Sequence, residues 1–209
     1  MQHFCHTFRI LVMIYVSVFS CRHADILSES KKVFPPTRPQ KFSIPVMVSN
    51  IQIDSVLKDL TNYSGCFSLE EIDLVKPSPF KHISSYVLNT FESQITRGGH
   101  WLVITFFNDT SVVELFDSLG IPSLIPLRIR NALSQFGKVL HTTKSLQDPF
   151  SDCCGLYCIG RNISINRGQS LTKFLDNFGP DNRKNDILIS RVVAQYTNDL
   201  CNVSESKTQ

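Results

Sequence analysis

A chain of 209 residues with 42% hydrophobic and 19% charged side chains can bury one sizeable core, and its composition excludes a disordered or fibrous protein. The net charge of +3 is too small to demand nucleic acid and leaves room for only a modest basic patch. Seven cysteines (Cys5, Cys21, Cys66, Cys153, Cys154, Cys158 and Cys201) are an odd number with no CxxC spacing, which fits neither a complete disulfide framework nor a common zinc template. No metal site is expected, and the usage reads as a reduced protein with buried thiols and one candidate reactive thiol.

At the N-terminus, His3, His6 and Arg9 precede the apolar run Ile10–Phe19, with Val18 and Ser20 placed before Cys21. The run is too short to span a bilayer comfortably, so no stable membrane span is expected. Residues 1–24 have instead the form of a signal-like hydrophobic leader, which suggests a secretory route. Sequons at Asn62, Asn108, Asn162 and Asn202 are too close to the chance expectation to decide the matter. The stretch "SESKKVFPPTRPQ" is charged and proline-rich, so residues 25–45 read as a linker, 46–200 as the folded domain and 201–209 as a polar tail.

Within the domain, Asn50–Leu60 places Ile51, Ile53, Val56, Leu57 and Leu60 on one helical stripe, with Ser49 or Asn50 as cap. Ser85–Phe91 reads as a short strand, and Trp101–Phe107 and Ser111–Phe116 as an antiparallel hairpin closed by Asn108, Asp109 and Thr110. A helix follows Pro126 and stops near Gly137, and Lys138–Leu146 reads as another strand. A helix opens at Cys154, with Cys154, Tyr157, Cys158 and Arg161 on one face, and Asn185–Leu200 closes the domain as a helix. Strands grouped centrally with helices around them give an α+β class.

Nucleophilic cysteine chemistry needs a thiolate, a histidine to generate it, a group to orient that histidine, and donors for the developing oxyanion. His100 immediately precedes the first hairpin strand and Asp117 immediately follows the second, so both belong at the same end of the ladder. Glu114 lies in mid-strand, projects elsewhere and ranks second as the acid. Gln147 lies seven residues before Cys154, and its amide could donate to an oxyanion. Cys154 at a helix start gains a favourable dipole and offers its own N–H, while Gly155 lets a substrate backbone approach closely. His82 and His141 read as ordinary residues. Each of these signals alone is weak, but the joint order His, Asp, Gln, Cys-Gly at these positions is rarer by chance.

The segments "GGHWLVITF", "VVELFDSLG" and "SLQDPFSDCCGLYCI" resemble the adenovirus endopeptidase (adenain) group, including the adenovirus-like proteases of Maverick/Polinton DNA transposons. That group shares its fold and catalytic order with the Ulp-type SUMO proteases. Upstream, "YSGCFSLEEIDL" and "SSYVLNT" are also similar, so the resemblance covers roughly residues 48–165. It implies a papain-like, adenain-type cysteine protease fold over residues 46–200, with His100 as base, Asp117 as orienting acid, Gln147 as oxyanion amide and Cys154 as nucleophile. The adenovirus enzyme has a glutamate where this chain has Asp117, whereas aspartate is the usual choice in the Ulp-type enzymes. Trp101 matches the aromatic that follows the histidine and, with Gly155, is assigned to substrate binding. The implied activity is cleavage after glycine, in Gly-Gly or Gly-X-Gly contexts of capsid or precursor proteins. The adenoviral member uses DNA and a disulfide-linked peptide as activators; here neither is required by the sequence, the charge footprint for DNA is thin, and Cys158 is the candidate tether. A monomer is expected, and the resemblance and cysteine usage favour a cytoplasmic or nuclear location over the secretory one. The alternatives are a SUMO- or ubiquitin-like isopeptidase of the same clan, a non-catalytic secreted module on a decayed protease fold, and a degenerate transposon copy. Glycans on Asn162, behind the nucleophile, would collide with packing, which argues against the secreted module.

Overall fold

The run Trp101–Phe107 is β-branched and aromatic throughout, and in the computed structural model, which describes residues 48–91 and 99–206, it is the central strand β3. The leader and the proline-rich linker fall outside the described residues. In chain order the elements are α1 (Asn50–Leu57), β1 (Tyr63–Phe67), a 3₁₀ segment (Leu69–Leu74), β2 (Ile83–Asn89), β3, β4 (Val112–Phe116), a second 3₁₀ turn (Pro122–Leu124), α2 (Leu127–Ser134), β5 (Lys138–His141), α3 (Cys154–Asn166), α4 (Leu171–Leu175) and α5 (Asn182–Ser206). The sheet runs β1-β2-β3-β4-β5, antiparallel across its centre and parallel at both outer pairs. The class is α+β, a mixed sheet flanked by helices, as the sequence predicts.

Side-chain alternation gives each face of the sheet its own partner. Tyr86 and Leu88 of β2, Leu102, Ile104 and Phe106 of β3, and Val113 and Leu115 of β4 join Ile129 and Leu133 of α2 and the first 3₁₀ segment in one apolar core. The opposite face carries the cross-strand row Ser85, Thr105 and Glu114, and it lies against α3. This second interface is polar at its centre. Arg161 of α3 is fully buried and grips Glu114 with two bonds, Nε to Oε1 at 2.8 Å and Nη2 to Oε2 at 2.9 Å. Ser85 donates to Asn162 Oδ1 at 2.7 Å, and the Asn162 amide returns to the Cys158 carbonyl at 2.9 Å. Asn162 is 2% exposed, so a glycan on this sequon is incompatible with the fold.

Several boundaries differ from the sequence reading. Strand β2 starts at Ile83 and ends at Asn89, two residues earlier than expected at each end. Ser111 belongs to the hairpin turn, with φ of 50°, and the strand begins after it. β5 stops at His141 instead of Leu146, because the next residue, Thr142, turns its hydroxyl to the Asp117 N–H and the chain leaves the sheet. α1 ends at Leu57, and Ile51 in its first turn is exposed while Ile53, Val56 and Leu57 are buried. The helix is closed at its start by a capping box between Ser49 and Gln52. α5 begins three residues earlier than expected and continues to Ser206, into the segment read as a tail.

The Arg161–Glu114 pair ties the helix that starts at Cys154 to the strand that ends at Phe116, just before Asp117. Removing one partner strands a buried charge, so Glu114→Ala should cost about 3–5 kcal/mol in urea unfolding, whereas the joint change Glu114→Leu with Arg161→Met should recover most of that loss. Equal losses in the single and double variants would show that the two charges are not coupled.

Candidate active site

The β3–β4 ladder pairs Val103 with Phe116, which puts the residues just beyond these strand ends side by side. His100 is pinned there by its backbone: its N–H donates to Thr90 Oγ1 at 3.1 Å and its carbonyl accepts the Thr90 N–H at 2.9 Å. Its Nε2 lies 2.5 Å from Asp117 Oδ1. Asp117 is 2% exposed, and its carboxylate also accepts the N–H groups of Leu119 at 2.8 Å and Ile121 at 3.3 Å. The acid is therefore fixed by the turn that it caps. Leu102, Leu119, Leu124 and Ile125 join the pair in lining a recess of about 90 Å³, a largely apolar surround that strengthens the contact.

With Nε2 engaged by Asp117, Nδ1 is the nitrogen left for the thiol. Burial by itself would lower the His100 pKa. The ring's hydrogen bonds to Asp117 and Cys154 and its electrostatic attraction to both outweigh burial and raise its pKa to about 9. A histidine in this setting is protonated at neutral pH.

Cys154 is the first residue of α3 and is 5% exposed. The Leu156 and Tyr157 N–H groups donate back to the Cys153 carbonyl at 2.9 and 3.2 Å, which leaves those of Cys154 and Gly155 without an acceptor inside the helix. The neighbouring thiols have no such setting. Burial and the charge of Asp186 hold Cys153 up at about 12, and full burial pushes Cys158 well above the ordinary thiol range. Cys153 is fully buried and close enough to Asp186 to feel its charge.

Gln147 is 3% exposed, and both ends of its amide are held. Oε1 accepts the Ser118 hydroxyl at 2.7 Å, and Nε2 donates to the Ser151 carbonyl at 2.6 Å. A carbonyl can only accept, so this contact fixes which end of the amide is nitrogen. One Nε2 hydrogen is thereby spent and the other remains. Ser118, adjacent to Asp117, thus links the acid's turn to the amide, a contact that the sequence reading does not contain. Its carbonyl also accepts the N–H groups of Leu146 at 2.8 Å and Gln147 at 3.1 Å. Gly120, with φ of 65°, makes this approach feasible, because a Cβ there would lie 2.5 Å from the Lys144 carbonyl carbon.

Trp101 and Gly155 lie together, but with a third party. A Cβ on Gly155 would sit 3.1 Å from Val48 Cβ and 3.4 Å from Trp101 Cδ1, and the Trp101 indole N–H donates to the Val48 carbonyl at 3.2 Å. The close approach that Gly155 permits is thus to Val48 of the same chain, where the sequence reading expects a substrate backbone. Glu114, the second-ranked acid, is taken by Arg161 and is unavailable to His100.

Because Asp117 raises the His100 pKa, Asp117→Asn should move the ring's NMR titration midpoint from about 9 down toward the ordinary 6.5. The raised value contributes stability that is complete below about pH 6.5 and is lost as pH climbs through about 9, so this part of the variant's deficit should be largest at the acid end and vanish above that range. An unchanged midpoint would remove Asp117 as the cause.

No protein-family model matches the sequence, and no curated protein matches it. Among solved structures the fold is similar to that of the ASFV pS273R protease, at 19% identity and a TM-score of 0.46, over 67% of this chain and 64% of that one. It is also similar to ChlaDub1 from Chlamydia trachomatis, at 15% identity and a TM-score of 0.44, over 77% of this chain and 83% of that one. The match thus spans just under two thirds of the length of the ASFV protease.

Proposed function

We propose that this chain is a cysteine endopeptidase that cleaves peptide bonds after glycine. The observation that carries the reading is His100, held by Asp117 at 2.5 Å on one nitrogen and coupled to Cys154 at the start of α3 on the other side. The resemblance of residues 48–165 to the adenovirus endopeptidase group supports the same reading and points to capsid or precursor proteins, of viral or transposon type, as substrates.

In the proposed cycle His100 takes the Cys154 proton, and Asp117 holds the ring so that Nδ1 faces the sulfur. The thiolate attacks the scissile carbonyl carbon, forming the C–S bond and an oxyanion. The Cys154 N–H and the free Nε2 hydrogen of Gln147 receive that oxyanion. The imidazolium gives its proton to the amine nitrogen as the C–N bond breaks, leaving a thioester. Water then attacks the thioester carbonyl while His100 takes its proton, and the acid leaves with the thiol restored.

The preference for glycine rests on space. Cys154 is only 5% exposed, and at the next residue a Cβ on Gly155 would be crowded by Val48 and Trp101, which are themselves hydrogen-bonded. A residue with no side chain passes such walls most easily, so Trp101 and Gly155 act in substrate binding together with Val48.

The full chain should release a fluorophore from a peptide ending in Gly-Gly. Cys154→Ala should abolish turnover, and Cys153→Ala should retain most of it. Turnover that survives Cys154→Ala, or is lost equally in both variants, would overturn the assignment. Cys154-dependent cleavage confined to folded ubiquitin-like fusions, with short Gly-Gly peptides untouched, would replace it with the isopeptidase reading.

A further inference from the structure

The segment between β5 and α3 has no regular secondary structure, yet Leu146 is fully buried and Gln147 is 3% exposed. Buried backbone groups without a ladder or helix need other partners. At Leu146, Gln147 and Asp148 much of this need is met from one place, the first turn of α5. Asn182 Nδ2 donates to the Gln147 carbonyl at 3.0 Å and to Ser145 Oγ at 3.1 Å. Asn185 Nδ2 donates to the Leu146 carbonyl at 3.1 Å. Asp186 Oδ2 accepts the Asp148 N–H at 3.3 Å. Positions 182, 185 and 186 are spaced i, i+3, i+4, so a single helix face presents all three side chains.

Asp186 does more than hold the loop. Its second oxygen, Oδ1, lies 2.9 Å from the Tyr157 hydroxyl, whose single hydrogen is shared between this oxygen and the Leu146 carbonyl at 3.0 Å. Tyr157 lies on α3, three residues after Cys154. One buried carboxylate therefore joins the loop that carries Gln147 to the helix that carries the thiol.

We propose that the Asn182–Asp186 turn of α5 is the positioning element for the oxyanion donor, with Asp186 setting Gln147 relative to Cys154. This rests on the protease reading and deepens it. None of the three residues touches the reacting atoms. They fix the backbone from which the Gln147 amide hangs, while Ser118 and Ser151 fix the amide itself. An oxyanion donor works only when it is already aimed at the place where charge develops, so a small backbone shift at Gln147 is felt in the chemical step and not in substrate capture.

The test uses the full chain with Asn182→Ala and Asp186→Asn. The latter keeps the size of the side chain but removes its charge and leaves one acceptor oxygen in place of two, so the Asp148 N–H and the Tyr157 hydroxyl can no longer each donate to an oxygen of their own. Three readouts separate positioning from general damage: turnover of a Gly-Gly peptide, alkylation of Cys154 by iodoacetamide, and inhibition by a Gly-Gly aldehyde. Alkylation is a displacement at carbon that develops no oxyanion, whereas the aldehyde adduct places its oxygen in the same position as the tetrahedral intermediate. We expect kcat to fall about 10- to 100-fold with KM nearly unchanged, aldehyde inhibition to weaken in parallel, and the alkylation rate to stay within about twofold of wild type. In a Gln147→Ala background Asp186→Asn should cost little more, because the group it positions is gone. Alkylation that falls as far as turnover, or a full additional loss in the Gln147→Ala background, would overturn the positioning role. Asn182 is only partly buried, so its variant keeps the test decisive if Asp186→Asn does not fold. Absence of turnover in the wild-type chain would instead sink the protease reading, and the positioning role with it.

Discussion

The carboxylate of Asp117 is the point on which the site depends. It sits where β4 leaves the sheet, and it accepts the His100 ring and the N–H groups of Leu119 and Ile121. Those two backbone bonds shape the turn, and the turn places Ser118 where its hydroxyl and carbonyl seize Gln147 and Leu146. The His100 imidazole and the Gln147 amide are thus positioned by adjacent residues of one turn. A residue with a carboxylate elsewhere on β4 cannot substitute for it. Glu114 is three positions earlier on the same strand, yet it faces α3 and is neutralised by Arg161.

The underside of α3 has a complementary role. Arg161, Asn162 and Tyr157 are buried polar side chains on the helix that begins with the thiol, and each is bonded to a different element. Arg161 reaches β4, Asn162 reaches β2 and Tyr157 reaches α5. An all-apolar helix in this position could slide or rotate at small cost. Directional bonds to three neighbours fix its register, and with it the place of Cys154, at the price of burying an ion pair.

Much of this site was legible in the sequence because it follows from local geometry. A hairpin with a short loop brings the ends of its strands together, so His100 and Asp117 were expected at the same end of the ladder. The observed register sets Asp117 opposite Leu102, within reach of His100. A glycine after a cysteine at a helix start was likewise readable from spacing. What could not be read depends on contacts between distant segments. The β1 strand is irregular, with a register shift between Tyr63 and Cys66 that hides its alternation, and its pairing with β2 is parallel. The parallel pairing of β4 with β5 leaves no turn signal either. Gln147 could be singled out, but not the Ser118 and Ser151 contacts that orient it. Asn182, Asn185 and Asp186 look like ordinary residues of a helix's first turn, and only the loop laid across them gives them another use.

Three thiols within six residues stand in three different environments. Cys153 is shielded from solvent and faces the negative field of Asp186, so its proton is held firmly. Cys158 lies one turn into α3, fully buried, where a charge would be unsolvated. Cys66, across from them on β1, is raised by burial and by the carboxylates of Asp54 and Glu71. Among the described cysteines Cys154 alone is coupled to a histidine that is itself held protonated. The three sulfurs thus differ in surroundings more than in sequence position, and only one of them lies beside a protonated imidazole.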